Sequence, residues 1–202
     1  MTTSMSPRRR ELLAIAARLF AERGYDNVTI DSLGAAAGIS GPALYHHFDS
    51  KEALLGEMLV DISTRLRDGG REVVAAARSN GHDPDDVIAR LIDFHIDFAV
   101  RRPDLITVHF RDLVDARRED QHAVRTRQNE YVDVWIDALV TARPELDRHA
   151  ASAAVHAVLG LMNSTPYSSR IGDSAMRALL RSMAGGALDA AAHTAATRSQ
   201  TA

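Results

Sequence analysis

From residue 7 onward, apolar residues recur three and four positions apart, the spacing that gathers side chains on one face of an α-helix. The alternation and tight hairpin turns expected of strands are missing, so the pattern predicts an all-α chain. A first helix over 7–23 places Leu12, Ile15, Ala16, Leu19 and Phe20 on one face. Two short helices follow over 30–37 and 41–47, and a fourth over 51–67 carries Leu55, Met58, Leu59, Ile62 and Leu66. Asp49 and Glu52 are placed to form a capping box at its start, and Gly69-Gly70 to interrupt it. Further helices are expected over 71–79, 84–101, 103–116, 119–142, 145–164 and 173–193, with Asn80-Gly81, Pro103, Pro144, Pro166 and Gly172 between them. The Ala/Thr-rich tail after about residue 194 is expected to be disordered.

Residues 29–55, TIDSLGAAAGISGPALYHHFDSKEALL, depart from a plain helical repeat. Thr29 is a good N-cap, Asp31 sits where the helix dipole favours a negative charge, and Ile30, Leu33 and Ala37 share a face. Gly38 supplies a left-handed stop and Ile39 a buried plug. Ser40 then caps a helix whose first turn holds Pro42, where a missing N–H costs nothing. So short a helix is marginal alone, and Leu44 and Phe48 supply its apolar anchorage. Two short helices across a glycine turn form the layout of a DNA-reading helix-turn-helix, in which the second helix enters the major groove. Thr29, Tyr45 and Lys51 are the candidates for phosphate positioning, and Ser40, Gly41, Pro42, Ala43 and His46 for reading bases.

This stretch resembles the N-terminal domain of the TetR family of bacterial transcriptional regulators. The resemblance rests on LFAERGYDNVTI (Leu19 to Ile30), AAAGIS (Ala35 to Ser40) and LYHHFDSKEALL (Leu44 to Leu55), and covers roughly residues 8–60. Gly34 departs from it, standing where the family more often has alanine. The resemblance implies a three-helix DNA-binding domain over 1–50, followed over 51–202 by a larger helical domain for effector binding and dimerisation. It also implies a homodimer on a pseudopalindromic double-stranded operator, acting as a repressor released by a small effector.

Charge is distributed in keeping with that reading: the net charge is −3, carried by the part beyond residue 51, while the first 51 residues are net positive. Arg8, Arg9 and Arg10 form a short basic arm, either a minor-groove or phosphate contact or an ordinary solvated start. Cysteine is absent, no apolar run approaches the roughly 20 residues that cross a bilayer, and no secretory signal opens the chain, so a cytoplasmic protein without a membrane partner is expected. No Walker loop, dinucleotide-binding glycine pattern, HExxH or GxSxG marks an enzyme, and no cofactor or metal is called for; Asp93, Asp97 and His109 read better as solvated helix faces than as metal ligands. A helical adaptor that binds protein without sequence-specific DNA contact is the alternative.

In the middle of the chain Phe94, His95, Phe98, His109, Phe110, Tyr131, Trp135, Met162, Asn163 and Tyr167 are the candidate pocket lining. Singly each reads as core; together they suggest a pocket for an effector of acyl or aromatic character. Toward the end, Val155, Val158, Leu159, Met176, Leu179, Leu180 and Met183 are candidates for a four-helix interface between two subunits, which the resemblance favours over packing within one chain.

Overall fold

The computed structural model describes residues 5–168 and 170–201, with side chains up to Thr197. Among these residues all regular structure is helical: α1 Pro7–Arg23, α2 Ile30–Ala36, α3 Gly41–Leu44, α4 Lys51–Ser79, α5 Pro84–Arg101, α6 Pro103–Asp112, α7 Arg118–Ala142, α8 Arg148–Met162, α9 Thr165–Ser168 and α10 Asp173–Thr201, with a short 3-10 turn at Leu113–Asp115. They form two compact units, Met1–Ser63 with Asp104–Arg125, and Thr64–Pro103 with Thr126–Ala202.

The first unit is built around α1. Ser6 caps it by accepting a hydrogen bond from the Arg9 amide, Pro7 occupies the first turn, and Gly24 ends it with φ of 84°. Leu12, Leu13, Ala16, Ala17, Leu19 and Phe20 are buried, together with Leu33, Leu44, Phe48, Leu54, Leu55, Met58 and Leu59. Leu105, Ile106 and Val108 of α6 join this core. Arg111, near the end of α6, donates to the Phe20 carbonyl at the last turn of α1 and pairs with the buried Asp112. The Ala21 carbonyl in the last turn of α1 thus gains a cationic partner, and the Phe20 carbonyl, which already accepts from the Gly24 amide, gains a second donor.

In the second unit α10 carries Met176, Leu180, Ala184, Leu188 and Ala192, four residues apart, as a continuous buried stripe against α5 and α8. The matching stripe of α8 is Ala151, Val155, Val158 and Met162, and Leu91, Ile92, Trp135 and Leu139 complete the core. Asp83 and Asp147 cap α5 and α8 through the amides of Asp86 and Ala150, both at 2.8 Å.

Three sequence expectations change. Gly69-Gly70 does not interrupt α4, which continues to Ser79. A Cβ at Gly69 would lie 2.4 Å from the Phe94 ring tip, and one at Gly70 2.6 Å from the Tyr131 ring edge, so these glycines admit two aromatic rings against the helix backbone. The start of α4 is capped by Ser50, which accepts from the Ala53 amide at 3.1 Å, not by an Asp49–Glu52 box. The tail expected to be disordered after residue 194 continues α10 to Thr201. Alanine is the strongest helix former, and the Thr194 and Thr197 hydroxyls bond back to the Ala190 and His193 carbonyls instead of competing with the helix.

Candidate functional site

The helix-turn-helix follows from capping and from two close backbone approaches. Thr29 and Ser32 exchange hydrogen bonds in a capping box, Thr29 accepting from the Ser32 amide at 3.1 Å and Ser32 from the Thr29 amide at 3.0 Å. Gly38 turns the chain at φ of 68°, and Ser40 caps α3 through the Ala43 amide. Ile39 is half-buried, not the fully buried plug expected. A Cβ at Gly34 would stand 2.9 Å from backbone atoms of Ile39, Ser40 and Gly41. The departure from the family pattern at Gly34 is therefore a place where α2 runs against the turn.

The expected reading residues separate. Thr29, Ser40, Pro42, Tyr45 and His46 are exposed and Ala43 half-buried, Tyr45 with 54% of its surface open. Gly41 is buried instead, because its Cα faces Asp31: a Cβ there would meet the carboxylate at 2.0 Å. It supports the head by allowing α3 to cross α2 closely. The helix proper ends at Leu44, and i to i−3 bonds from Tyr45, His46 and His47 tighten the chain into a turn.

Two cations brace the head, one at the loop between α1 and α2 and one at the turn after α3. Lys51 donates to the Tyr25 and Val28 carbonyls, each at 3.0 Å, with its ammonium 4.1 Å from the Tyr25 ring centre. It secures the loop between α1 and α2, leaving a third donor for any phosphate. Arg9 makes a bidentate pair with Glu57 of α4, donates to the His47 carbonyl, and lies 4.4 Å over the Phe48 ring. The hydrogen bonds to Glu57 raise its pKa above the usual guanidinium value. Arg8 is likewise engaged, with Glu11 and with the Ala37 carbonyl at 2.8 Å. Of the basic arm Arg10 is exposed, whereas Arg8 and Arg9 brace the head from within. Sequence reasoning missed Glu57, whose only signal was its spacing of two turns after Ser50.

The pocket candidates also divide. His109 and Phe110 belong to the first unit on α6, and burial lowers the His109 pKa. Phe110 and Tyr167 are 63% and 73% exposed, so neither is a wall of an enclosed core. The others form one aromatic cluster around His95. Its Nε2–H donates to Asn163 Oδ1 at 3.1 Å, and its Nδ1 accepts from the Tyr131 hydroxyl at 3.1 Å. The Tyr131 ring stacks on it, and Phe98 and Trp135 meet it edge-on. Complete burial lowers the His95 pKa to about 4, so the imidazole is neutral. Burial raises the Tyr131 phenol. Met162 is fully buried beside this cluster in the core, and Phe94 is half-buried against Gly69. Asp93 and Asp97 pair with Arg181 and Arg177 and line, with Ile96, Ala178 and Ser182, a separate cleft of about 540 Å³ between α5 and α10.

Of the interface candidates, Val155, Val158, Met176 and Leu180 are at most 3% exposed, spent on the subunit's own core. Leu159 is half-buried against that core. Leu179 and Met183 point outward from α10, 45% and 47% exposed. Small residues, Ala153, Ala157 and Gly160, are exposed along α8.

A helix-turn-helix head followed by a second helical unit is the layout of a DNA-binding regulator. Residues 12–58 match the family model for bacterial regulatory proteins of the tetR family, and residues 81–167 that for the tetracyclin repressor-like C-terminal domain. The chain is 31% identical over 149 residues to the HTH-type transcriptional repressor KstR2 of Mycolicibacterium smegmatis, covering 69% of this chain and 70% of that protein. It belongs to the TetR family. A KstR2 of Rhodococcus jostii is 49% identical over 75 residues, 37% of the length of each chain. A crystal structure of a TetR-family regulator from Bordetella parapertussis superposes with a TM-score of 0.77 at 24% identity, covering 89% of this chain and 95% of that one.

Proposed function

We propose that this chain is a transcriptional repressor that binds a pseudopalindromic operator as a homodimer and is released by a small, largely apolar effector. The observation that carries the reading is the exposed set Ser40, Pro42, Tyr45 and His46 on a turn braced from behind by Arg9, with Lys51 securing the loop between α1 and α2. A narrow helix with small residues at its N-terminus suits close approach to base edges, and Tyr45 and Thr29 reach toward phosphates. Residues 1–50 do the reading, and 51–202 hold the effector and the partner subunit. Two heads on a two-fold axis address half-sites about one helical turn apart. Leu179 and Met183, with the small residues of α8, supply the surface on which a second copy packs.

Effector binding in the cluster around His95 favours an arrangement in which the heads no longer match the operator, and α4 carries the change, since it runs unbroken from Lys51 to Ser79. Switching from nearly full to nearly no repression takes a preference of order 10⁴-fold, about 5.5 kcal/mol. No helix among the described residues is long and apolar enough to cross a membrane, and such a regulator works in the cytoplasm without catalysing a reaction.

The test is selection of duplexes from a random library by the full chain, followed by fluorescence anisotropy across a salt series. The expected result is tight binding to a palindromic duplex at dimer stoichiometry, weakened at least tenfold by Tyr45→Ala or His46→Ala with unchanged melting temperature. Equal, weak binding to every duplex overturns the reading in favour of a protein-binding adaptor.

A further inference from the structure

Trp135 is the single tryptophan of the chain, is fully buried, and its indole N–H has no hydrogen-bond acceptor. A buried donor without a partner is rare, because it has lost its bond to water and gained nothing in exchange. His95 is fully engaged, and the Tyr131 hydroxyl is spent as a donor. Both nitrogens of His95 are used, one by Tyr131 and one by Asn163. Tyr131 stands perpendicular to the indole at 6.3 Å between ring centres, and no hydrogen bond closes between them. No lysine, arginine or carboxylate belongs to the cluster of Phe98, His95, Tyr131, Trp135, Met162 and Asn163, and His95 is itself neutral there. Phe98 and Asn163 are half-buried, giving the cluster a solvent side.

We infer that the effector presents an uncharged oxygen acceptor, a carbonyl or hydroxyl on an apolar body, to the indole N–H of Trp135. Among the residues of that cluster an ionised carboxylate would meet one donor and no cation, too little to replace its hydration. A hydrocarbon would leave the donor as it is. The inference rests on the effector reading of this cluster.

The single tryptophan makes the test direct. The full chain is titrated with four probes of equal carbon number, methyl hexyl ketone, n-octanol, octanoate and n-octane, while indole emission is recorded. The ketone and the alcohol are expected to shift the emission to the red and to bind about tenfold more tightly than octanoate or octane. In Trp135→Phe, followed by calorimetry, the preference of ketone over octane is expected to vanish while octane binding persists. Octanoate binding as tightly as the ketone, a preference retained in Trp135→Phe, or no emission change with any probe overturns the inference. The emission shift of the unsubstituted chain needs no variant, so it stands even where Trp135→Phe does not fold. A chain that selects no operator yet shows the shift would overturn the regulatory reading and leave this site standing.

Discussion

Removing the Arg9 side chain separates two roles that the sequence leaves open for it. In Arg9→Ala the Glu57 carboxylate loses a bidentate partner, the His47 carbonyl loses its donor, and the Phe48 ring loses the cation on its face. Hydrogen bonds to charged groups contribute about 1.5–3 kcal/mol when shielded. The pair here is 33% and 28% exposed, so solvent screening reduces that figure. With about 0.5–1 kcal/mol for the cation over the ring, the loss comes to about 2 kcal/mol, or about 4–8 °C in melting temperature for a chain of this size. Arg9→Lys keeps the charge without the planar fork and should recover about half. Thermal unfolding by circular dichroism and operator binding across a salt series are the assays. A brace predicts lower melting and weaker binding with parallel salt slopes. A phosphate-contacting arm predicts unchanged melting and a slope reduced by about 0.9, and that outcome would refute the reasoning.

Two further outcomes follow from the second unit. Gly70→Ala should destabilise by about 1–2 kcal/mol in urea titration, because overpacking against the buried, hydrogen-bonded Tyr131 outweighs the gain in helix propensity of up to about 1 kcal/mol; adding Tyr131→Leu should relieve the clash, and a Gly70→Ala chain more stable than the parent would disprove it. His95 has its pKa lowered to about 4 from an unfolded value of about 6.5, so the unfolded chain binds the proton more readily. Its stabilising effect is complete above pH about 6.5 and is lost as pH falls through about 4, worth of order 3 kcal/mol; His95→Gln should flatten that stretch of the stability profile, and an unchanged slope would show that His95 is not its source.

The sequence by itself determined the helices, the helix-turn-helix and its caps. These depend on local chemistry: Thr29, Gly38 and Ser40 act on amides and dihedrals within a few residues of themselves. The apolar period likewise marked which faces are buried, including Leu12, Ala16, Leu19 and Phe20 on α1.

Tertiary structure alone decided how those parts are used. Gly69-Gly70 looks like a break because glycine weakens a helix, but rings from α5 and α7 lie against it and the helix continues. Gly41 looks like a gap for a base edge, yet Asp31 fills the space. Arg9 and Glu57 are 48 positions apart, and no local pattern links them. Val155, Val158, Met176 and Leu180 look free to join two subunits until α5, α8 and α10 pack together and bury them. In each case the deciding partner is distant in sequence, and a hydrophobic period records that a face is covered without recording what covers it.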